Sequence, residues 1–534
     1  MSKELARPAL FFAHNARLQT LLKFSGRHIE PIVKCASPPS RAFTARAELH
    51  ERLYGKPAAA IGYGRGIGSA LYANTGLKSD SMQRLFSTAR VCRNVVTSST
   101  AATAAASSVG ASATATKSSS KRVLSARPVG LWLIGSSFLV FGIVVIGGLT
   151  RLTESGLSIT EWKPVTGSIP PLTQKDWEEE FEKYRQSPEF KLLNSNMTLE
   201  EFKFIFFMEW SHRLWGRIIG LAFVIPGAYF IARGRVSVRV TKRIAAIAGL
   251  IGFQGFIGWW MVKSGLSDHF LADDGVNGKY KDTHPRVSQY RLATHLGLAF
   301  IVYLSMLWTG LEVLKENRLV KEPNQSLALF SQLRNPALKK YKIIAAGLLA
   351  LVFTTAMSGA FVAGLDAGLI YNEFPYMGEG FIPPTAELFS NFYSRDRDDS
   401  DLIWRNMLEN PATVQLEHRI LATTTFFSIL AFHFYSTVLN KKGMLPRSVF
   451  KASHGVIGFA MLQVTLGITT LWYLVPIPLA AAHQAGSLAL LTETLILCMR
   501  LRKPRGEVLE MLKKAGAKNA YSTTAAVESK VLMP

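Results

Sequence analysis

Eight long runs of apolar residues dominate the pattern along this 534-residue chain. Each approaches or exceeds the roughly 20 residues that a helix needs to cross a bilayer core about 30 Å thick. Their predicted bounds are 129–149, 204–231, 243–262, 291–314, 343–364, 413–439, 449–473 and 477–499. The pattern therefore predicts an all-α polytopic membrane protein with eight transmembrane helices.

The first quarter of the chain has a different composition. Residues 1–126 hold 18 Lys/Arg against 5 Asp/Glu, about half of the net charge of +24, and they contain no membrane-length apolar run. A basic, Ser- and Ala-rich start is typical of a mitochondrial transit peptide. Because Arg84-Leu85-Phe86-Ser87 resembles a matrix-protease site, we predict a transit peptide over 1–86 and a disordered Ser/Ala-rich linker over 87–125. The alternative is a disordered basic tail without a targeting role. We expect no nucleic-acid partner.

The loops between the apolar runs alternate in charge. The short loops 232–243, 315–342 and 440–451 are basic, whereas the loop 365–412 holds nine acidic residues against three basic ones. Basic short loops stay on the side from which a chain inserts. We therefore expect a multi-pass protein of the mitochondrial inner membrane, with both termini and the basic loops in the matrix.

The two halves of the remaining chain repeat one another. Gly-Ser-Ile-Pro-Pro at 167–171, after the first run, matches Gly-Phe-Ile-Pro-Pro at 380–384, after the fifth. We predict two tandem four-helix bundles whose repeat is parallel, because both halves start on the same side of the membrane. The predicted segments are an N-terminal bundle at 126–315, a matrix connecting loop at 316–342, a C-terminal bundle at 343–500 and a polar matrix tail at 501–534.

One histidine lies near the start of each even-numbered run, within its first two or three predicted turns: His212, His295, His418 and His483. Each bundle thus offers two imidazoles at one level, which suits a six-coordinate heme iron. A lone membrane histidine is more often a hydrogen-bonded core residue, but four that follow the repeat favour a functional role. The remaining intramembrane and loop histidines do not share this level and are assigned no ligation: His269, His284, His433 and His454.

The two halves differ three residues before the first histidine of each pair, where Glu209 stands opposite Gln415. A carboxylate beside a membrane heme is costly to bury and suits proton transfer, whereas an amide does not. We therefore expect chemistry in the N-terminal bundle and an electron-transfer heme in the C-terminal one. The alternative for Glu209 is a structural pairing, for example with Arg151.

An arginine follows the first histidine of each pair, Arg213 after His212 and Arg419 after His418. Their guanidinium groups are candidates for bidentate contacts with heme propionates. The alternative is that both arginines extend to the membrane edge and contact water.

These residues resemble the heme A synthases of mitochondria and bacteria over roughly residues 125–500. The most specific part of the resemblance is Gly147-Gly148-Leu149-Thr150-Arg151-Leu152-Thr153-Glu154-Ser155-Gly156-Leu157-Ser158, followed by Trp162, Pro164, Gly167 and Pro170-Pro171. The resemblance implies that a ring methyl of heme O is oxidised to the formyl group of heme A for cytochrome c oxidase. It implies substrate heme between His212 and His295, Glu209 as the catalytic carboxylate, and a resident heme b on His418 and His483.

The resemblance also implies partners. These are heme O synthase, a ferredoxin system and cytochrome c oxidase assembly factors. The oligomeric state of the chain is left open, a homo-oligomer included. Some bacterial members carry a cysteine pair in an outer loop. The three cysteines here, Cys35, Cys92 and Cys498, lie elsewhere, so we expect no thiol relay through those loops.

Two other classes of function fit parts of the pattern. A diheme b-type electron carrier resembling a quinol oxidoreductase accounts for all four histidines but not for Glu209 or its replacement in the repeat. A transporter built from parallel repeats could use the histidines as a proton relay.

Overall fold

Eight long helices form the fold of the protein. The computed structural model describes residues 123–267, 284–396 and 398–516, which belong to one compact unit and contain no β-strand within these ranges. The eight helices are α1 (Arg127–Leu152), α2 (Leu199–Ala232), α3 (Val238–Gly265), α4 (Gln289–Lys321), α5 (Leu338–Gly364), α6 (Pro411–Lys441), α7 (Arg447–Trp472) and α8 (Ile477–Leu501). The predicted all-α class is therefore confirmed. The predicted transit peptide at 1–86, the linker up to residue 122 and the tail from residue 517 lie outside the described residues.

Seven of these helices, α1 to α7, are long and apolar enough to cross a membrane. The helix α8 has the length but carries His483, Gln484 and Glu493 in its middle, which lowers its mean hydropathy. The protein is thus a polytopic helical membrane protein, and the eighth crossing stays a prediction.

Within each half the four helices pack in a ring that follows the order of the chain. In the first ring α1 contacts α2 and α4, and α3 contacts the same two helices; α5 to α8 repeat this pattern. The rings meet where α4 packs on α5 and α1 packs on α8. In such a ring the even-numbered helices face each other diagonally across the interior. These contacts fit two tandem four-helix bundles, while the parallel repeat between them stays a prediction.

Small residues allow the closest helix pair in the first ring. A Cβ added to Gly130 of α1 would lie 3.1 Å from the carbonyl oxygen of Gly310 in α4, and one added to Gly310 would lie 2.9 Å from that of Gly130. Membrane helices use such glycines to bring their backbones together, because burial of apolar surface gives little driving force between helices in lipid.

The outer loop after α1 folds onto an extension of α2. Phe181 and Tyr184, from the helix Gln174–Arg185, pack on Phe202 and Phe206 of α2. The capping box of Thr198 and Glu201 starts α2 five residues before the predicted bound. His212 therefore lies in the fourth turn of α2, while its place within the predicted apolar run, which begins at residue 204, is unchanged.

The predicted connecting loop 316–342 is largely helical. The helix α4 continues to Lys321, and a further helix runs over Pro323–Leu333 before α5. At this end of the molecule two buried carboxylates of α4 hold arginines of other segments. Glu312 binds Arg243 of α3 at 2.5 Å, and Glu316 binds Arg505, beyond α8, at 2.6 Å.

Candidate functional site

Each of the four predicted ligand histidines lies against a glycine of the preceding helix. A Cβ added to that glycine would come within 2.9 to 3.3 Å of the imidazole Cε1. The pairs are Gly147 with His212, Gly258 with His295, Gly359 with His418 and Gly467 with His483. A larger residue would displace the ring, so the glycines keep room for each imidazole next to the helix backbone.

Each ring of helices contains one of the predicted histidine pairs. His212 of α2 and His295 of α4 each lie against an odd-numbered helix of the first ring, and His418 of α6 and His483 of α8 do so in the second. Both pairs come from diagonal helices, so their rings face the interior of a bundle. A heme iron takes one nitrogen on each face of the porphyrin. Two partly buried imidazoles on diagonal helices fit that requirement in both halves.

A glutamine holds the second histidine of each pair. The Nε2 of Gln254 donates to the backbone oxygen of His295 at 2.9 Å and lies 3.1 Å from its Nδ1. Gln463 has the same contacts with His483, at 2.8 and 3.1 Å. Sequence reasoning missed these glutamines. The signal was a Gln four residues before the glycine that contacts the histidine, present once in each half.

The Glu209 carboxylate is buried and accepts four hydrogen bonds. Ser158 Oγ and the backbone N–H of Ile159 each donate to Oε2 at 2.8 Å. The Arg213 guanidinium donates to Oε1 through Nε at 3.1 Å and through Nη2 at 2.6 Å. Of the structural pairings considered for Glu209, the one with Arg151 is not formed, because Arg151 binds Asp366, whereas a pairing with the neighbouring Arg213 is present. Two of these four hydrogen bonds come from the charged guanidinium, and such charge-assisted bonds are the stronger ones.

The matched residue Gln415 makes hydrogen bonds of the opposite direction. Its Nε2 donates to the carbonyl oxygen of Tyr371 at 2.9 Å, in the outer loop that follows α5. Arg419 donates to the same oxygen at 2.9 Å and to that of Tyr376 at 3.1 Å. The loop after α1 therefore donates hydrogen bonds to Glu209, whereas the loop after α5 accepts one from Gln415. The two matched residues, which differ in the sequence, thus also differ in the direction of their hydrogen bonds.

Both predicted propionate arginines also tie their helix to an outer loop. Arg213 donates to the carbonyl oxygens of Ile159 and Glu161, at 2.9 and 3.1 Å, as Arg419 does to its own loop. The Nε of Arg419 is buried and has no hydrogen-bond partner in the described part of the chain. Each arginine thus fixes a loop next to the first histidine of its pair.

The outer loop after α1 contains a second buried carboxylate, that of Glu189. Tyr184 donates to it through its hydroxyl at 3.2 Å, and Asn194 donates to that hydroxyl at 2.9 Å. Burial raises the pKa of Glu189 to about 8, and the negative charges of Glu209 and Glu154 add to the effect. Glu189 is therefore a neutral acid at neutral pH. Sequence reasoning missed it, because an acid in a polar loop is normally hydrated.

One ion pair joins the two halves beside these sites. Arg151, at the end of α1, donates to both carboxylate oxygens of Asp366 at 2.7 and 2.8 Å. Asp366 has a φ of 52° and follows α5, and Glu154 has a φ of 51° at the matching place after α1. The same turn thus ends both helices, but the arginine of the first half binds the acid of the second.

The helices and the paired imidazoles define the class as a polytopic membrane protein with two candidate heme sites. Residues 130–495 match the family described as cytochrome oxidase assembly protein, COX15-CtaA. The heme A synthase COX15 of Saccharomyces cerevisiae is 56% identical over 391 residues, which cover 73% of this chain and 79% of the relative. The human heme A synthase COX15 is 47% identical over 379 residues, 71% of this chain and 83% of the relative. The chain belongs to the heme A synthase family, and the resemblance predicted from the sequence is confirmed.

A further relative joins two proteins in one chain. The heme A synthase-mitochondrial ferredoxin fusion protein of Schizosaccharomyces pombe is 50% identical over 381 residues. These residues cover 70% of this chain and 60% of the fusion protein.

Proposed function

We propose that this chain is a heme A synthase of a mitochondrial membrane, an oxidoreductase that converts a ring methyl of heme O into the formyl group of heme A for cytochrome c oxidase. The family supports the reaction. The observation that carries the division of labour is that two matched histidine pairs differ at one buried position, Glu209 in the first half and Gln415 in the second. A diheme electron carrier would not require that difference.

The two histidine pairs have different roles in this proposal. His212 and His295 hold the substrate heme, and His418 and His483 hold a resident heme b. When bound, heme b supplies an acceptor that takes electrons one at a time. The fixed imidazoles orient each porphyrin between diagonal helices, and the outer loops that contact Arg213 and Arg419 keep water from both sites.

Glu209 is the proposed catalytic carboxylate. With water as the oxygen source, oxidation of a methyl to a formyl group releases four electrons and four protons. The ionised Glu209, held by Ser158 and the Ile159 N–H, accepts a proton from the reacting group or stabilises positive charge that develops there. Gln415 cannot accept a proton in this way.

Arg213 and Arg419 are the proposed propionate contacts of the two hemes. Each lies next to the first histidine of its pair and already donates to an outer loop. A planar guanidinium with five donors can add a carboxylate partner without losing these bonds. The free Nε of Arg419 supports this role for the second site.

We further propose the arrangement of the chain in the membrane. The basic loops place both termini in the matrix. Residues 1–86 are the transit peptide and 87–125 the linker, and the two bundles span 126–315 and 343–500. The name of the fusion relative from Schizosaccharomyces pombe supports a ferredoxin system as redox partner. Heme O synthase and cytochrome c oxidase assembly factors are further proposed partners. The oligomeric state of this chain, a homo-oligomer included, is left open.

Heme analysis of the purified protein tests the function. A synthase should contain heme b together with heme O, a hydroxylated intermediate or heme A, as identified by mass. Recovery of heme b alone after incubation with heme O would favour the diheme electron carrier. Absence of a Soret band would favour the transporter.

A further inference from the structure

The helices that carry or contact His418 and His212 differ in polarity at three matched positions. In the second half Ser358 precedes Gly359, whereas in the first half Ile146 precedes Gly147. In the same register two further hydroxyl residues are replaced by isoleucines. The matched pairs are Ser358 with Ile146, Thr355 with Ile143 and Thr425 with Ile219.

The hydroxyl of Ser358 lies within hydrogen-bond distance of one ring nitrogen of His418. Its Oγ donates to the carbonyl oxygen of Thr355 at 2.8 Å and lies 2.7 Å from His418 Nδ1. Because Ser358 can give its one proton to the Thr355 oxygen, it can accept from the Nδ1–H of His418. The Nε2 of His418 then keeps its lone pair for a metal. The hydroxyls of Thr355 and Thr425, 2.7 Å apart, continue the polar patch.

His212 has no such acceptor. Its Nδ1 is buried and has no hydrogen-bond partner in the described ranges. Ile143 and Ile219 belong to the apolar core around α1 and α2. The second histidines do not differ in this way, because Gln254 and Gln463 contact them alike. The difference in hydrogen bonding is therefore confined to His212 and His418.

We propose that Ser358 is a positioning residue that slows the release of heme from the His418 site. Ile146 offers His212 no hydrogen bond, so that heme can exchange at the His212 site. A ligand histidine whose second nitrogen donates a hydrogen bond is fixed in orientation and is a stronger donor to iron. A cofactor site needs this retention, whereas a site that takes up heme O and releases heme A needs exchange. This inference rests on the proposed function, since it takes both sites to bind heme.

Heme transfer from the full-length protein to apomyoglobin tests the role of Ser358. Loss of an outer hydrogen-bond partner typically costs about 10- to 100-fold in metal affinity. Ser358→Ala should therefore release heme b at least about tenfold faster than the wild type, while Ser358→Thr, which keeps the hydroxyl, should release it at the wild-type rate. The heme b midpoint potential should rise in Ser358→Ala only, because a weaker donor stabilises the ferric state less. Wild-type release and potential in Ser358→Ala would overturn the proposal.

The reciprocal change tests the first half. Ile146→Ser should slow the release of heme O from the His212 site by about tenfold, and Ile146→Val should leave it unchanged. Equal release from Ile146→Ser and Ile146→Val would overturn the role of Ile146. If the wild type holds heme b but Ser358→Ala retains it equally well, only this inference fails. A wild type that holds no heme contradicts the proposed function as well.

Discussion

The carboxylate of Glu209 and the guanidinium of Arg213, one helical turn apart on α2, form an ion pair of 2.6 Å in which Glu209 is buried. Arg213 also binds two carbonyl oxygens of the outer loop, and the same loop donates to Glu209. Loss of one partner of a buried ion pair leaves the other charge uncompensated. Glu209 thus connects the loop that covers the site to the helix that carries His212.

The first prediction concerns Glu209→Gln. Turnover of heme O should fall by about 10²- to 10⁴-fold, the usual contribution of a general acid or base. Heme b content should stay at the wild-type level, because the proposed heme b ligands, His418 and His483, lie in the other bundle. Mass analysis of heme products measures the first quantity and the pyridine hemochrome spectrum the second. The control is Glu161→Gln in the exposed part of the same loop, which should keep its turnover. Full turnover in Glu209→Gln would remove the catalytic role.

The second prediction concerns the glycine beside His212. A Cβ at Gly147 would lie 2.9 Å from the imidazole Cε1, so Gly147→Ala must displace the ring. Heme O should bind at least about tenfold more weakly, which corresponds to about 1.4 kcal/mol. Gly135→Ala on the same helix is the control, because no atom lies within 4 Å of its added Cβ. A Soret titration measures both affinities, and equal affinity for the two variants would contradict the predicted ligand.

The third prediction concerns the ion pair between the halves. Asp366 is 47% exposed, so its coupling to Arg151 should be on the order of 1 kcal/mol or less. A double-mutant cycle of Arg151→Ala and Asp366→Ala, followed by unfolding in detergent, measures it. The coupling should shrink when salt is added, because screening weakens exposed pairs. A coupling of several kcal/mol that salt does not change would show that the pair is effectively buried.

The fourth prediction concerns pH. The pKa of Glu189 is raised to about 8 from its ordinary value of 4.5, so the folded protein binds a proton there that the unfolded chain loses. Its contribution to stability is present at low pH and is lost as the pH rises from about 4.5 through 8. Glu189→Gln keeps a neutral side chain and should flatten this part of the profile of melting temperature against pH. An equal pH dependence in the variant would show that Glu189 is already ionised.

Much of the fold followed from the sequence for a simple reason. Apolar runs of membrane length have few alternatives to a helix, because lipid offers the backbone no hydrogen-bond partners. The histidine pairs followed as well, since the repeat marked His212 and His418 as matched positions. The sequence did not predict the extension of α2, because a capping box at Thr198 lies in a stretch that is polar and therefore resembles a loop.

Contacts between segments that are distant in the chain could not be predicted from the sequence. The pairing of Arg151 with Asp366 joins residues more than 200 positions apart, and nothing in the local pattern distinguishes Asp366 from Glu154 as its partner. The burial of Glu189 depends on the packing of Tyr184 above it. The direction of the hydrogen bonds at Glu209 and Gln415 required the positions of both outer loops.

The central claim is that the two histidine pairs hold different hemes. The most direct test is extraction and mass analysis of heme from the wild type, His212→Ala and His418→Ala, each purified as the full-length protein. The account predicts that His212→Ala keeps heme b but makes no heme A, and that His418→Ala loses heme b. Loss of heme b from His212→Ala, with its retention in His418→Ala, would contradict the account.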